Sequence, residues 1–349
     1  MDYSQKKQKL YNGEVMNFNQ EKPSITETTP EKITPELEIS TALGKQADLF
    51  LGNEKDIIKP AIFLKILDEV KEKVPKINES IKSGENKRQA VYDKSKKSFQ
   101  TENENDITAG KIIAARRWGI DVGIPETPDQ TDEESRTRTI LLEKLVSDEL
   151  NGKLNKEIAT RLAESIKKFR PEVSEAYSKI AERSGERSKQ FGIIAEQIVL
   201  GVLEEIAIDR NDLGLTVMEA NAFQDVYNKI DFIITTHQAR RGVGVNRDQN
   251  EIEEKSIGIQ FTTNKLMAEH KMDQINKVKE RGTEVDDIVY VDINNKLLKG
   301  AVNKWKKLGR PIAGPWNFLP PEIRKKTLTR LFNGLLTPEQ EKSLIKDIK

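Results

Sequence analysis

Cysteine is absent from the 349-residue chain, so neither a disulfide framework nor a thiolate metal site is available. Histidine is nearly absent: His237 and His270 are the only two, too few for a His-rich metal centre. Any metal would therefore sit on oxygen ligands, which favours magnesium or manganese over zinc. No apolar run approaches the ~20 residues that a membrane-spanning helix needs. The opening residues Met1-Asp2-Tyr3-Ser4-Gln5-Lys6-Lys7 have no apolar segment behind them, so no signal peptide is expected. Together these absences fit a cytoplasmic chain with no membrane partner.

What is present is charge. Charged residues make up 33% of the chain and hydrophobic residues 36%, polar for a globular protein but enough for a core. The net charge of +1 conceals an uneven distribution. Residues 191–295 hold 11 Lys/Arg against 19 Asp/Glu, whereas residues 296–349 hold 13 against 4. A basic end beside an acidic middle suits a protein that holds a polyanion near a carboxylate site, and it equally suits a solvated basic helical tail.

Four regions follow from texture. Residues 1–55, with prolines at 23, 30 and 35 and little periodicity, are expected to be a disordered arm. Residues 56–190 read as a helical region. Helices are expected over 60–82, from Thr108, over 140–150 with an end near Asn151-Gly152, over 158–169, and over 172–190. Residues 83–105 read as loop or frayed helix. From Phe191 to 307 the pattern becomes a helix (191–208), strands at 215–221, 229–236 and 256–263, a helix (265–281), a strand (287–293) and a helix (296–307). Residues 308–349 read as a basic helical tail.

Three polar residues stand inside apolar runs of the third region. Glu196 has Ile193, Val199 and Leu200 as helical neighbours, a face on which a carboxylate is costly unless compensated. Asp231 stands just inside the run Ile230-Asp231-Phe232-Ile233-Ile234, and strands are poor in Asp. The alternation there puts Ile230, Phe232 and Ile234 on one face and Asp231, Ile233 and Thr235 on the other. Gln260 and Thr262 share a strand face with Gly258, opposite Ile257, Ile259 and Phe261. Each alone reads more simply as an interfacial Glu, a turn-capping Asp or a half-exposed strand edge.

In this order, on this succession of elements, they resemble the PD-(D/E)XK nuclease superfamily over about residues 190–307. The resemblance implies an α/β fold: an α-β-β-β-α-β, restriction-endonuclease-like core with a central mixed sheet flanked by helices. It matches Glu196 to that family's acidic residue on the first helix, Asp231 to the Asp of its second strand and Gln260 to the Glu/Gln of its third. Thr262 stands where that family carries a lysine. Lys271, on the helical face shared with Met267, Ile275 and Val278, is the preferred replacement, with Lys265 second.

The resemblance further implies Mg2+ or Mn2+ held by Asp231, Gln260 and the Phe261 carbonyl with support from Glu196. It implies hydrolysis of phosphodiester bonds in DNA, ahead of RNA, with the lysine orienting or deprotonating the attacking water. Arg240, Arg241 and Arg247 of the loop 237–255 are candidate backbone contacts. Two other readings stay open. One is a catalytically inactive nuclease-fold protein that binds nucleic acid. The other is an adaptor whose helical region docks a protein partner or a second copy.

Overall fold

The computed structural model describes residues 58–83, 88–183, 191–239 and 252–346. The arm at 1–55 and the loop arginines Arg240, Arg241 and Arg247 lie outside these residues.

The first half is built on one long helix. Thr131 caps it reciprocally: its hydroxyl accepts from Glu134 N at 3.1 Å, and Glu134 Oε2 accepts from Thr131 N at 2.9 Å. The helix then runs unbroken as α3 (Asp132–Ile166). The expected break at Asn151-Gly152 does not occur. Leu142, Val146, Leu150, Leu154 and Ile158 are buried at four-residue spacing across it. Burying each such side chain is worth about 1.5–3 kcal/mol, against roughly 1 kcal/mol for a glycine within a helix. Against this stripe pack α1 (Pro60–Ser83) and α4 (Pro171–Arg183), which bring Phe63, Val70 and Tyr177.

Residues 88–105 are not frayed helix. They form strand β1 (Arg88–Gln89), which pairs in parallel with β4 (Val122–Gly123), and a hairpin of β2 (Val91–Asp93) and β3 (Ser98–Gln100). The hairpin's apolar content is small but well placed: Phe99 is buried edge-on to Tyr92, ring centres 5.1 Å apart. Asp93 folds the turn by accepting from Ser95 N at 2.9 Å. A short helix, α2 (Ala109–Ala114), follows Thr108, whose hydroxyl caps it. The chain then tightens into a 3-10 turn that ends at Trp118.

The second half carries the sheet. Helix α5 (Phe191–Asp209) is apolar nearly all round and buries Ala195, Ile198, Val199, Leu200 and Leu203, as a helix packed on more than one side must. Its Gly201 is required by close approach, since a Cβ there would lie 2.2 Å from the Trp118 ring. Strands β5 (Leu215–Glu219), β6 (Phe232–Ala239), β7 (Ile252–Thr262) and β8 (Asp287–Asp292) form one mixed sheet in the order β5-β6-β7-β8. The first three pair antiparallel, and β8 joins β7 in parallel through α7 (Ala268–Arg281). A five-residue helix, α6 (Ala222–Val226), stands between β5 and β6 and was not foreseen.

Phe232, Ile234, Ile257, Ile259, Phe261 and Val291 belong to one core with α5. Ile233 and Ile288 belong to another with Ile275 and Val278 of α7. One expected orientation fails: Ile230 joins the Ile233 side rather than the Phe232 side. The cause is local. β6 begins at Phe232, and Lys229 just upstream has φ 57°, so strand alternation does not extend back to Ile230 or Asp231.

Helix α8 (Asn295–Lys307) follows β8. The basic end is integral to the core: a 3-10 turn (Pro315–Phe318), α9 (Pro321–Phe332) and α10 (Pro338–Lys346) supply Trp316, Leu328, Leu331, Phe332 and Leu344 to the α5 side of the sheet. Arg330 is ion-paired to Asp292 at 2.7 Å. Among the described residues no helix is long and apolar enough to cross a membrane.

Candidate functional site

The α/β half brings four of the singled-out residues to one end of β6 and β7. Asp231 sits at the entrance to β6, its backbone N–H donating to Ile259 O at 2.7 Å. Its Oδ2 accepts from Phe261 N at 2.5 Å and more loosely from Gln260 Nε2 at 3.4 Å. Lys271 reaches across from α7 and donates to the Phe261 carbonyl at 2.8 Å. Asp231 and Lys271 thus grip the two sides of one peptide segment at the end of β7.

Gln260 is buried, and among the described residues its side-chain Oε1 has no hydrogen-bond partner. A buried acceptor left without a donor costs about 1–3 kcal/mol. Gly258 lies two residues back on the same face, and a Cβ there would meet Ile230 at 2.7 Å, so that face is closed against the loop leading to Asp231.

Glu196 approaches from α5. Burial pushes its carboxyl up to about 8, the nearby carboxylates Asp231, Asp225 and Glu219 push the same way, and Lys271 opposes them. Asp231 is raised as well, by burial first and then by Asp225, against the Phe261 N–H and Lys271. Glu196 and Asp231 are both half-buried, and with the Asp231 charge raising Glu196 the two cannot both ionise without cost unless a cation intervenes. Lys271 is one such charge, and it already holds the Phe261 carbonyl.

Thr262, at the position of the resembled family's lysine, is buried, and its hydroxyl accepts from Asn264 N at 3.2 Å. It shapes the turn that leads into the 3-10 segment Lys265–Met267. The Lys265 side chain lies outside the described residues.

Two residues beside this site were missed. Asp225 rides on α6, whose Asn221–Gln224 capping box (Gln224 N to Asn221 Oδ1 at 2.8 Å) sets that helix after β5. Lys229 lies in the loop between α6 and β6. Burial lowers its ammonium from the usual range, Lys271 and Arg281 lower it further, and Asp225 and Asp231 oppose them. The Asn221-to-Gln224 capping pattern was the available signal for α6.

A second charged cluster adjoins the site. Arg117 grips Glu204 of α5 with both arms, at 2.9 and 2.6 Å, and pairs with Glu219 at the end of β5. Lys144 of α3 reaches the same Glu204 at 2.8 Å. Burial alone would lower the arginine's affinity for its proton, but Glu204 and Glu219 hold its charge more strongly. Gln197, next to Glu196, donates to Glu219 at 3.2 Å. The cluster thereby ties α3, α5 and β5 together behind Glu196. Its sequence signal was Glu204, set among Val202, Leu203 and Ile206 of a largely apolar helix.

Among the described residues no three His, Asp or Glu side chains stand together at metal-ligand spacing. An ion here would have two carboxylates plus amide and carbonyl oxygens. No protein-family model, curated protein or solved structure matches the chain.

Proposed function

We propose that the chain is a magnesium- or manganese-dependent nuclease that hydrolyses phosphodiester bonds in DNA, built on a restriction-endonuclease-like core at residues 191–307. The observation that carries the reading is the convergence of Glu196, Asp231, the partnerless Gln260 Oε1 and Lys271 at the ends of β6 and β7. The element order supports it. From α5 to β8 the described residues run helix, three antiparallel strands, helix and a parallel strand, with α6 and two short 3-10 turns (Asn211–Leu213 and Lys265–Met267) between them.

The residues fit a hard divalent cation. Asp231, Glu196, Gln260 Oε1 and the Phe261 carbonyl are all oxygen donors, and a cation among them would answer both the orphaned amide oxygen and the mutual repulsion of the acids. When bound, such an ion supplies Lewis acidity and a water of lowered pKa. The chain's own contribution is positioning. The Phe261 N–H fixes the Asp231 carboxylate, and the apolar packing of α5 holds in place the helix that carries Glu196. Lys271 adds the positive charge that Thr262 lacks and lies where it can offset charge developing on a phosphate.

One observation favours a second reading, a nuclease-fold protein that binds nucleic acid without cutting it. Lys271 is engaged with the Phe261 carbonyl, one of the oxygens the ion would use, and Gln260 and Thr262 are neutral. Incubating plasmid DNA with the purified chain and Mg2+ or Mn2+ tests both readings. Nicking that Asp231→Ala abolishes is expected. Cleavage that survives this change refutes the site, and salt-sensitive binding without turnover selects the second reading.

A further inference from the structure

The route into Asp231 is an unusually constrained loop. Gln224 O accepts from both Asn228 N (3.1 Å) and Ile230 N (3.0 Å), while Asp231 O accepts from Ala220 N (3.1 Å). These bonds pin the backbone on either side of Lys229, which turns left-handed at φ 57°. Glycine or asparagine usually fills such a position, and a bulky residue there is strained. Strain of this kind persists where the surrounding structure enforces it and collects at functional sites. The Lys229 side chain is half-buried, yet among the described residues its ammonium has no hydrogen bond or ion pair.

Arg281, at the end of α7, leans over the same loop. Its guanidinium carbon lies 4.4 Å from the centre of the Tyr227 ring, and its Nη2 donates to Tyr227 O at 3.2 Å. Tyr227 itself stacks on Phe223, ring centres 4.9 Å apart. The guanidinium is therefore held by an aromatic stack and one carbonyl, and its other donors have no partner among the described residues. Lys229 lies within electrostatic reach of both Lys271 and Arg281, and none of the three is in an ion pair among the described residues. Lys229, with Lys271 and Arg281 beside it, faces the carboxylates Asp225 and Asp231 without closing an ion pair among the described residues; its free donors and those of Arg281 make a place for an anion, and the acid pair beside them makes a phosphodiester the fitting one.

We propose that Lys229 and Arg281 form a phosphate-binding subsite that holds the nucleic-acid backbone beside the carboxylate pair. Lys229 acts as a point charge, and Arg281 supplies a planar fork pre-set by its stack on Tyr227. The identity of the ligand rests on the nuclease reading; the geometry of the subsite does not.

The test measures binding of a fluorescent DNA duplex to the full chain by anisotropy, with calcium present and again in chelator. A parallel arm measures the thermal shift produced by inorganic phosphate. Lys229→Gly and Lys229→Asn both tolerate the left-handed backbone, so each removes the charge without breaking the loop, and their unfolding midpoints should be at or above that of the wild type. Arg281→Ala is the third variant, and Lys156→Ala, exposed on α3, is the control. Each of the three should weaken DNA binding about tenfold, and the Lys229 changes should lower the slope of log affinity against log salt by about 1. An effect confined to the phosphate arm would assign the subsite to free phosphate rather than to a backbone, and the subsite would still stand. Variants that match the wild type in both arms overturn it. Plasmid cleavage is scored separately: a wild type that binds through Lys229 but never cuts sinks the nuclease reading and leaves the subsite.

Discussion

Replacing Glu196 by Gln should stabilise the metal-free chain, and by an amount that grows with pH. The folded protein raises this carboxyl from an ordinary 4.5 to about 8, through burial and the neighbouring acids. A group whose folded pKa is raised binds more protons folded than unfolded, so stability falls as pH climbs from the unfolded value toward the folded one. The slope is about 1.4 kcal/mol per pH unit. At pH 7 the cost is on the order of 3 kcal/mol, and relaxation of the site and sharing of the proton with Asp231 reduce it to roughly 1–3 kcal/mol. Glutamine keeps the shape and carries no such cost. Urea unfolding at pH 5, 7 and 8.5 in chelator should show Glu196→Gln and wild type nearly equal at pH 5 and separating above it. Adding Mg2+ or Mn2+ should raise the wild-type midpoint most at high pH and the variant's much less, because the ion offsets repulsion that the variant lacks. A variant no more stable than wild type at pH 8.5, or an equal metal response in both proteins, would refute the coupling of Glu196 to Asp231.

Two further expectations concern the support of the site. Arg117→Ala leaves Glu204 buried beside Lys144 alone and should cost about 3–5 kcal/mol, read as a lower denaturant midpoint with unchanged slope. An Arg117→Ala chain as stable as wild type would show that the cluster is solvated. Gly201→Ala places a methyl 2.2 Å from the Trp118 ring and should cost about 1–3 kcal/mol or more, with a changed Trp fluorescence; a neutral result would show that α5 and Trp118 part easily.

The α/β half was legible because its signals are strong and local. The apolar alternation of Phe232–Ile234 and Ile257–Phe261 marks strands, and the periodicity of Ile275 and Val278 marks the helix between β7 and β8. The first half was less legible because its cues compete. Asn151-Gly152 carries a helix-stop signal, but the leucine stripe on either side buries more than that signal costs. The hairpin at Val91–Gln100 hid among lysines and serines because its strands are three residues long and only Tyr92 and Phe99 advertise it. The small helix at Ala222–Val226 is shorter than any useful periodicity window, and it carries Asp225 toward the site.

In the proposed nuclease site, motif position and chemical role come apart. The sequence places Thr262 where a lysine was sought, and the structure gives that threonine a different task, capping the turn after β7. The positive charge comes instead from elements packed against the strand: Lys271 from α7, and Lys229 from the loop before β6. An ammonium carried on a flexible four-carbon stem can reach a given point from several backbone positions, whereas a carboxylate on a one-carbon stem, like that of Asp231, cannot. The acids of such a site are therefore tied to sequence position and can be read from it. Its lysines are tied only to a point in space and become assignable once the helix and the loop are in place.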